Sequence, residues 1–198
     1  SNGLGLYYNN DYFNSFKIIK NKENELSFSS VRSIKQIGDK LWIGGYGGLN
    51  KYDDSTNKMY YIPYSEFKTE TNRWESYISG HSIYCFLQDP NDPDIVWIGS
   101  EDNGLYKYSK SKNKYRFVEF SHSNEMDKKV NSVYSICAYK KNCIIGTSNG
   151  IIAFEPKSEI FSWLKSINME IGKDILHVKN IFVDGDLLYC VFDGVGTY

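Results

Sequence analysis

Cysteine, proline, charge of one sign and long apolar runs are all scarce in this chain. Four cysteines in 198 residues are too few for a disulfide-stapled scaffold, and no C-x-x-C or Cys/His pair at zinc spacing is present. The 23 Lys+Arg and 24 Asp+Glu leave a net charge of −1, without the basic surplus that coats nucleic acid or anionic membranes. No apolar run approaches the ~20 residues that span a bilayer, and no charged-then-apolar secretory segment opens the chain. A nucleophile elbow, a Walker loop and a dinucleotide fingerprint are likewise missing. What is abundant is aromatic surface: 17 Tyr, 11 Phe and 4 Trp, too many for a disordered segment.

Those aromatics belong to a repeat. Gly-x-x-x-aromatic recurs at Gly3/Tyr7, Gly48/Tyr52, Gly104/Tyr108, Gly150/Phe154 and Gly194/Tyr198, with successive glycines 45, 56, 46 and 44 residues apart. Each unit opens with apolar residues three apart, as in Val31/Ile34, Ile83/Phe86, Val133/Ile136 and Val178/Ile181. A turn such as Gly38-Asp39 or Gly185-Asp186 follows, a hairpin signal. Next come Leu41-Trp-Ile-Gly44 or Val96-Trp-Ile-Gly99, then strands Leu49 to Tyr52 and Met59 to Ile62, or Leu105 to Tyr108 and Tyr115 to Val118. Four short strands every 45 residues make one propeller blade, and the aromatics fill the space between blades. The expectation is an all-β propeller of about four blades of four antiparallel strands. Its units are 31–80, 81–130 and 131–174, with 3–30 ending one blade and 175–198 starting another. The chain begins and ends in the same phase, so it reads as part of a longer propeller. The other reading is a small propeller in which Gly3 to Tyr8 and Phe16 to Ile19 complete the blade begun by Val178 to Val191.

Leu/Val-Trp-Ile-Gly, a few polar residues, Gly-Leu and an aromatic four after that Gly resemble the two-component regulator propeller repeat. Units with Trp42 and Trp97 match closely; the third has Ile144 in place of Trp, and the fourth has Tyr189 and lacks the following Gly. The resemblance covers nearly the whole chain and implies a periplasmic sensor region of hybrid two-component regulators of Bacteroides-type bacteria. It implies binding of an extracellular signal, commonly a glycan fragment, and transmission through a homodimer. No kinase segment, receiver domain or DNA-binding helix pair lies in these residues.

Few residues stand out as chemistry. Cys85, Cys137, Cys143 and Cys190 read as small buried hydrophobes in strands, although Cys137 and Cys143 flank one hairpin and a bridge there is conceivable. His81, His122 and His177 sit at different offsets near first strands and read as surface histidines. Asp89, Asp92 and Asp94 offer oxygens of the kind Ca²⁺ takes, but Pro90 and Pro93 favour a rigid hairpin extension. Lys107 to Arg116 reads as two strands and a solvated turn, and Gly44-Gly45-Tyr46-Gly47-Gly48 as a turn. No cofactor and no metal is expected.

The insertion Tyr64 to Gly80 is long for a connection and therefore a candidate for function. It carries Arg73, Trp74 and Tyr77, able to stack on sugar faces and to bind carboxylate or sulfate, or simply to pin the loop to blade edges. Connections between blades and between second and third strands emerge on one face, so Tyr46, Glu101, Asp102, Asn103, Asn149 and Asp193 are expected to share its rim. Aromatic platforms with acids and amides suit an oligosaccharide ligand. A propeller lyase or hydrolase would need a paired acid and base, for which neighbouring turn acids are no evidence, and a protein-interaction scaffold could use the same rim. Fold alone does not separate these. The favoured expectation is a non-catalytic ligand-sensing region, with no nucleic-acid partner and no membrane span.

Overall fold

The computed structural model describes residues 4–7, 13–16, 25–62, 64–65, 73–79, 82–101, 104–120, 132–164, 177–193 and 196–197, and all regular structure among them is strand. A hairpin of β1 (Leu4–Tyr7) and β2 (Phe13–Phe16) comes first, with Tyr7 opposite Phe13. Its return strand therefore lies three residues before the expected Phe16 to Ile19. Blade 1 follows as β3 (Val31–Ile37), β4 (Lys40–Gly45), β5 (Gly48–Asp53) and β6 (Lys58–Ile62), each antiparallel to the next. The insertion holds β7 (Tyr64–Ser65), β8 (Trp74–Glu75) and β9 (Ile78–Ser79), with β7 parallel to β9.

Blade 2 comprises β10 (Ile83–Gln88), β11 (Ile95–Ser100), β12 (Gly104–Ser109) and β13 (Lys114–Val118), and β8 adds a fifth strand at its outer edge. Blade 3 comprises β14 (Val133–Tyr139), β15 (Asn142–Thr147), β16 (Gly150–Glu155) and β17 (Ile160–Trp163). Blade 4 has β18 (Val178–Asp184), β19 (Leu187–Phe192) and β20 (Gly196–Thr197). The third-strand place beside β19 is filled by β20, while β1 and β2 form a separate sheet. Among the described residues the opening hairpin pairs with no strand of blade 4. First strands of successive blades pack side by side in the order β3, β10, β14, β18, the arrangement of a β-propeller. No helix among the described residues is long and apolar enough to cross a membrane.

The core lies between blades. One apolar cluster joins Trp42, Leu49, Ile83, Phe86 and Tyr108; a second joins Trp97, Leu105, Val133, Phe154 and Phe161; a third joins Ile144, Ile151, Val178 and Cys190. Trp42 meets Tyr108 edge-on at 5.1 Å, and Trp97 meets Phe154 at 4.8 Å, contacts worth about 0.5–1.5 kcal/mol each beyond the area they bury. The Trp97 indole also donates to Asp89 at 2.7 Å.

The glycine of Trp-Ile-Gly has a plain cause. A Cβ on Gly44 would lie 2.7 Å from Ile83, one on Gly99 2.6 Å from Val133, and one on Gly146 2.9 Å from Val178. Each of these neighbours is the apolar residue that opens the next blade's first strand, and Ser33, Cys85 or Ser135 of the blade's own first strand stands nearer still, so side chains from two blades close on the same backbone. Gly99→Ala should therefore cost about 1–3 kcal/mol in urea denaturation. Leu187→Ala, at a side chain 60 % exposed, should stay within about 0.5 kcal/mol.

Lys51 and Lys107 hold the same place in blades 1 and 2, opposite Trp42 and Trp97. Lys107 meets Glu159 of blade 3 at 2.8 Å, and Arg116 bonds the same carboxylate. Burial opposes ionisation of Glu159, but the two cations hold its carboxyl below the ordinary value. Lys51 has aromatic rings instead, lying 3.7 Å from the Tyr108 centroid and 4.1 Å from that of Trp42. Burial, aided by Lys40, pushes its ammonium down to about 7, while the rings favour the cation. The folded state then binds fewer protons than the unfolded one from about pH 7 to the ordinary lysine value, so this group's contribution to stability rises with pH across that window. Lys51→Met should flatten that rise and leave stability at pH 7 unchanged or about 1–2 kcal/mol higher, measured by denaturation at several pH values.

Candidate functional site

Every first strand carries an irregularity at one place. Pairing steps from Val31↔Gly45 to Ser33↔Gly44, from Ile83↔Ser100 to Cys85↔Gly99, from Val133↔Thr147 to Ser135↔Gly146, and from Val178↔Phe192 to Asn180↔Val191. The skipped residues are Arg32, Tyr84, Tyr134 and Lys179. A bulge leaves one residue unpaired and re-aims it, and here four bulged residues fall in one row. The Arg32 guanidinium lies 5.8 Å from the Tyr84 ring; Tyr84 and Tyr134 meet edge-on at 5.1 Å; the Lys179 ammonium lies 4.3 Å from the Tyr134 ring. His177, exposed, flanks Tyr134 at 6.2 Å.

The turns after the second strands join this row. The backbone N–H of Tyr46 donates to Ser30, that of Glu101 to Ser82, that of Ser148 to Ser132 and that of Asp193 to His177, at 2.9–3.1 Å. Each bond ties a turn to the residue just before a first strand, at the end where the bulges sit. Tyr84 donates its hydroxyl to Glu101 at 3.2 Å, and the Asp193 carboxylate lies 3.4 Å from Lys179. Burial first, and then the Glu101 charge, raise the Tyr84 phenol above its ordinary value, against the pull of Arg32. Tyr46, 57 % exposed, bridges to Ser82 of the neighbouring unit. The result is a row of rings flanked by cations and carboxylates, able to cover an apolar face while hydrogen-bonding polar groups at its margins.

Among the residues expected from sequence, Tyr46, Glu101 and Asp193 lie at this end of the blades. Asp102 falls outside the described residues, as do His81, His122 and Asn103. The insertion sits elsewhere: Trp74 pairs with Arg116 on the outer edge of blade 2, four strands from β10 and so roughly 19 Å away. Lys112 and Arg116 lie against the Trp74 ring at 4.5 and 5.6 Å, and Arg73 pairs with Glu75 at 2.8 Å. Tyr77, half-buried, follows β8. Sequence reading missed Arg32, Tyr84, Tyr134 and Lys179. The sequence shows only that each stands one residue after the apolar opener Val31, Ile83, Val133 or Val178, a place any strand residue takes.

The other candidates resolve as structure. Asp89 accepts the Asn91 and Asp92 N–H groups, and Asp94 accepts from Ser109 and Ser111. No group of three or more His, Cys, Asp or Glu among the described residues could hold a metal ion. A cleft of about 550 Å³ lies at the other end of blades 2 and 3, lined by Asp92, Lys141, Glu155 and Lys157 among others. All four cysteines are free; burial pushes the thiols of Cys85 and Cys143 up to about 12 and those of Cys137 and Cys190 up to about 11. Since the thiolate is the nucleophile, the folded protein should leave these thiols unlabelled by iodoacetamide at pH 8, and denaturation should release all of them; labelling before unfolding would count against this packing.

Fold and bulge row together define a propeller-repeat protein with a polar–aromatic axial face. No family model matches the chain, and no curated protein matches it. Solved structures do. The extracellular domain of BT4673 from B. thetaiotaomicron, a one-component or hybrid two-component system, is 22 % identical at a TM-score of 0.72, covering 99 % of this chain and 24 % of that one. That of the hybrid two-component system BT3049 from the same organism is 19 % identical at 0.65, covering 93 % and 22 %. The computationally designed Ika4 protein is 8 % identical at 0.53, covering 85 % and 89 %. The chain thus spans about a quarter of the two bacterial domains. At these identities the likeness is one of fold, and it lies with the proteins to which the repeat motif points.

Proposed function

We propose that this chain is the ligand-sensing part of a longer periplasmic propeller in a hybrid two-component system, binding its signal without turning it over. Units 31–80, 81–130 and 131–174 serve as complete blades, and 3–30 and 175–198 as parts of flanking ones. The ligand is an oligosaccharide lying across the axial face, with homodimerisation as the route of signal transmission. The observation that carries the reading is the bulge at the same step of all four first strands, which brings Arg32, Tyr84, Tyr134 and Lys179 into one contiguous row. Tyrosine rings cover apolar sugar faces at small entropic cost, and Glu101, Asp193 and the two cations hydrogen-bond hydroxyls. Likeness to extracellular domains of two-component systems supports the same reading. Arg73, Trp74 and Tyr77 on the outer edge form a second contact for a long ligand.

Calorimetric titration against bacterial and host oligosaccharides tests it. Saturable binding is expected, weakened roughly tenfold by Tyr84→Ala or Tyr134→Ala, the loss of about one aromatic contact. Trp74→Ala reports separately on the outer edge. Silence across the panel would refute the reading, and product formation from any sugar would replace it with an enzyme.

A further inference from the structure

The charges of the row are unevenly answered. Asp193 faces Lys179 at 3.4 Å, and Glu101 accepts the Tyr84 hydroxyl. Arg32, exposed at the other end, has the Tyr84 ring beside it and, among the described residues, no carboxylate within ion-pairing distance. A guanidinium over an aromatic ring engages that ring with its face, while its five N–H donors lie in its plane and remain free to fork onto an anion. Such a bidentate pairing carries geometry as well as charge. At the far end the Lys179–Asp193 contact is long for an ion pair, and its side chains are 43 % and 61 % exposed. Lys179 can therefore turn to a ligand without leaving a buried charge behind.

We infer that the oligosaccharide of the axial face is an acidic one, carrying a carboxylate or sulfate that Arg32 clamps at the Tyr84 end of the row. The inference rests on the sensing role proposed above and adds the charge of the ligand to it. Tyr84 and Tyr134 then cover the sugar rings between the two cations, Glu101 and Asp193 accept from hydroxyls, and Lys179 is the second, weaker anion contact.

The test uses tetrasaccharides in matched pairs: oligogalacturonate and hyaluronan fragments with their methyl esters, and a carboxyl-esterified chondroitin sulfate fragment with its desulfated form. The acidic member of at least one pair should bind, and its neutral counterpart should bind roughly tenfold to a hundredfold more weakly, the range of one charge-assisted hydrogen bond. Arg32→Gln should erase that difference by weakening the acidic sugar far more than the neutral one, and Arg32→Lys should restore part of it. Arg32 is exposed, so the variants should keep the thermal midpoint, which confirms the fold. Comparison of the carboxylated and sulfated arms identifies which anion is read. Equal binding within every pair, no binding by any acidic sugar, or an unaltered difference in Arg32→Gln would each overturn the inference. Should a neutral oligosaccharide bind while the acidic ones do not, the sensing role stands and only the charge assignment falls.

Discussion

The structure depends on one close approach: the apolar residue opening each first strand pressed onto a glycine in the preceding blade's second strand. Ile83 lies on Gly44, Val133 on Gly99 and Val178 on Gly146. The next-but-one residue has the opposite duty. Ser33 donates to the Ile83 carbonyl and Cys85 lies against that of Val133, so residues two apart address opposite neighbours. Side chains alternate faces with period two, so a regular strand would send both to the same side. A bulge between them is what turns residues two apart to opposite interfaces.

The axial row follows from that requirement. Because the inserted residue belongs to neither interface, its side chain is displaced to the end of the blade, in the same way four times over. Packing thus generates four addressable positions and leaves their chemistry open. In this chain they carry Arg, Tyr, Tyr and Lys. Their neighbours come from the turns held by the recurring N–H bonds to Ser30, Ser82, Ser132 and His177. Core and candidate site share one cause, so a change at Gly99 or Val133 bears on both, whereas a change at Arg32 bears on the face alone.

Variation among the interfaces shows how much freedom the repeat leaves. Asn57 and Asn113 take positive φ in the turn before the fourth strand and accept from the Tyr52 and Tyr108 hydroxyls. Glu159 takes the same place in blade 3 and reaches back to Lys107 and Arg116. Lys51 has Asn113 where Lys107 has Glu159, and aromatic rings stand in for the missing acid. In blade 4, Val191 occupies the glycine position and Phe182 stacks on Tyr189 at 4.7 Å, with Phe182 49 % exposed. No further first strand among the described residues approaches there.

The blades were legible in the sequence because their determinants are local and repeated: alternating apolar residues, Gly-Asp turns, Trp-Ile-Gly and the Gly-x-x-x-aromatic marker. Strands β3 to β6 and β10 to β13 fall where those patterns place them. Trp74 and Arg73 were legible as unusual residues in a long insertion, but not as an edge strand of the next blade, since the pairing of β8 with β13 depends on a contact some forty residues away. Tyr46, Glu101 and Asp193 could be assigned to one end by turn topology. Arg32, Tyr84, Tyr134 and Lys179 could not, because in a plain strand pattern they are merely the polar partners of apolar neighbours. By itself, then, the sequence determined the repeat, the strands and the packing glycines; tertiary structure decided the bulges and the row they create. The physical reason is that a bulge answers to two neighbouring blades at once, and that demand exists only when the blades are assembled.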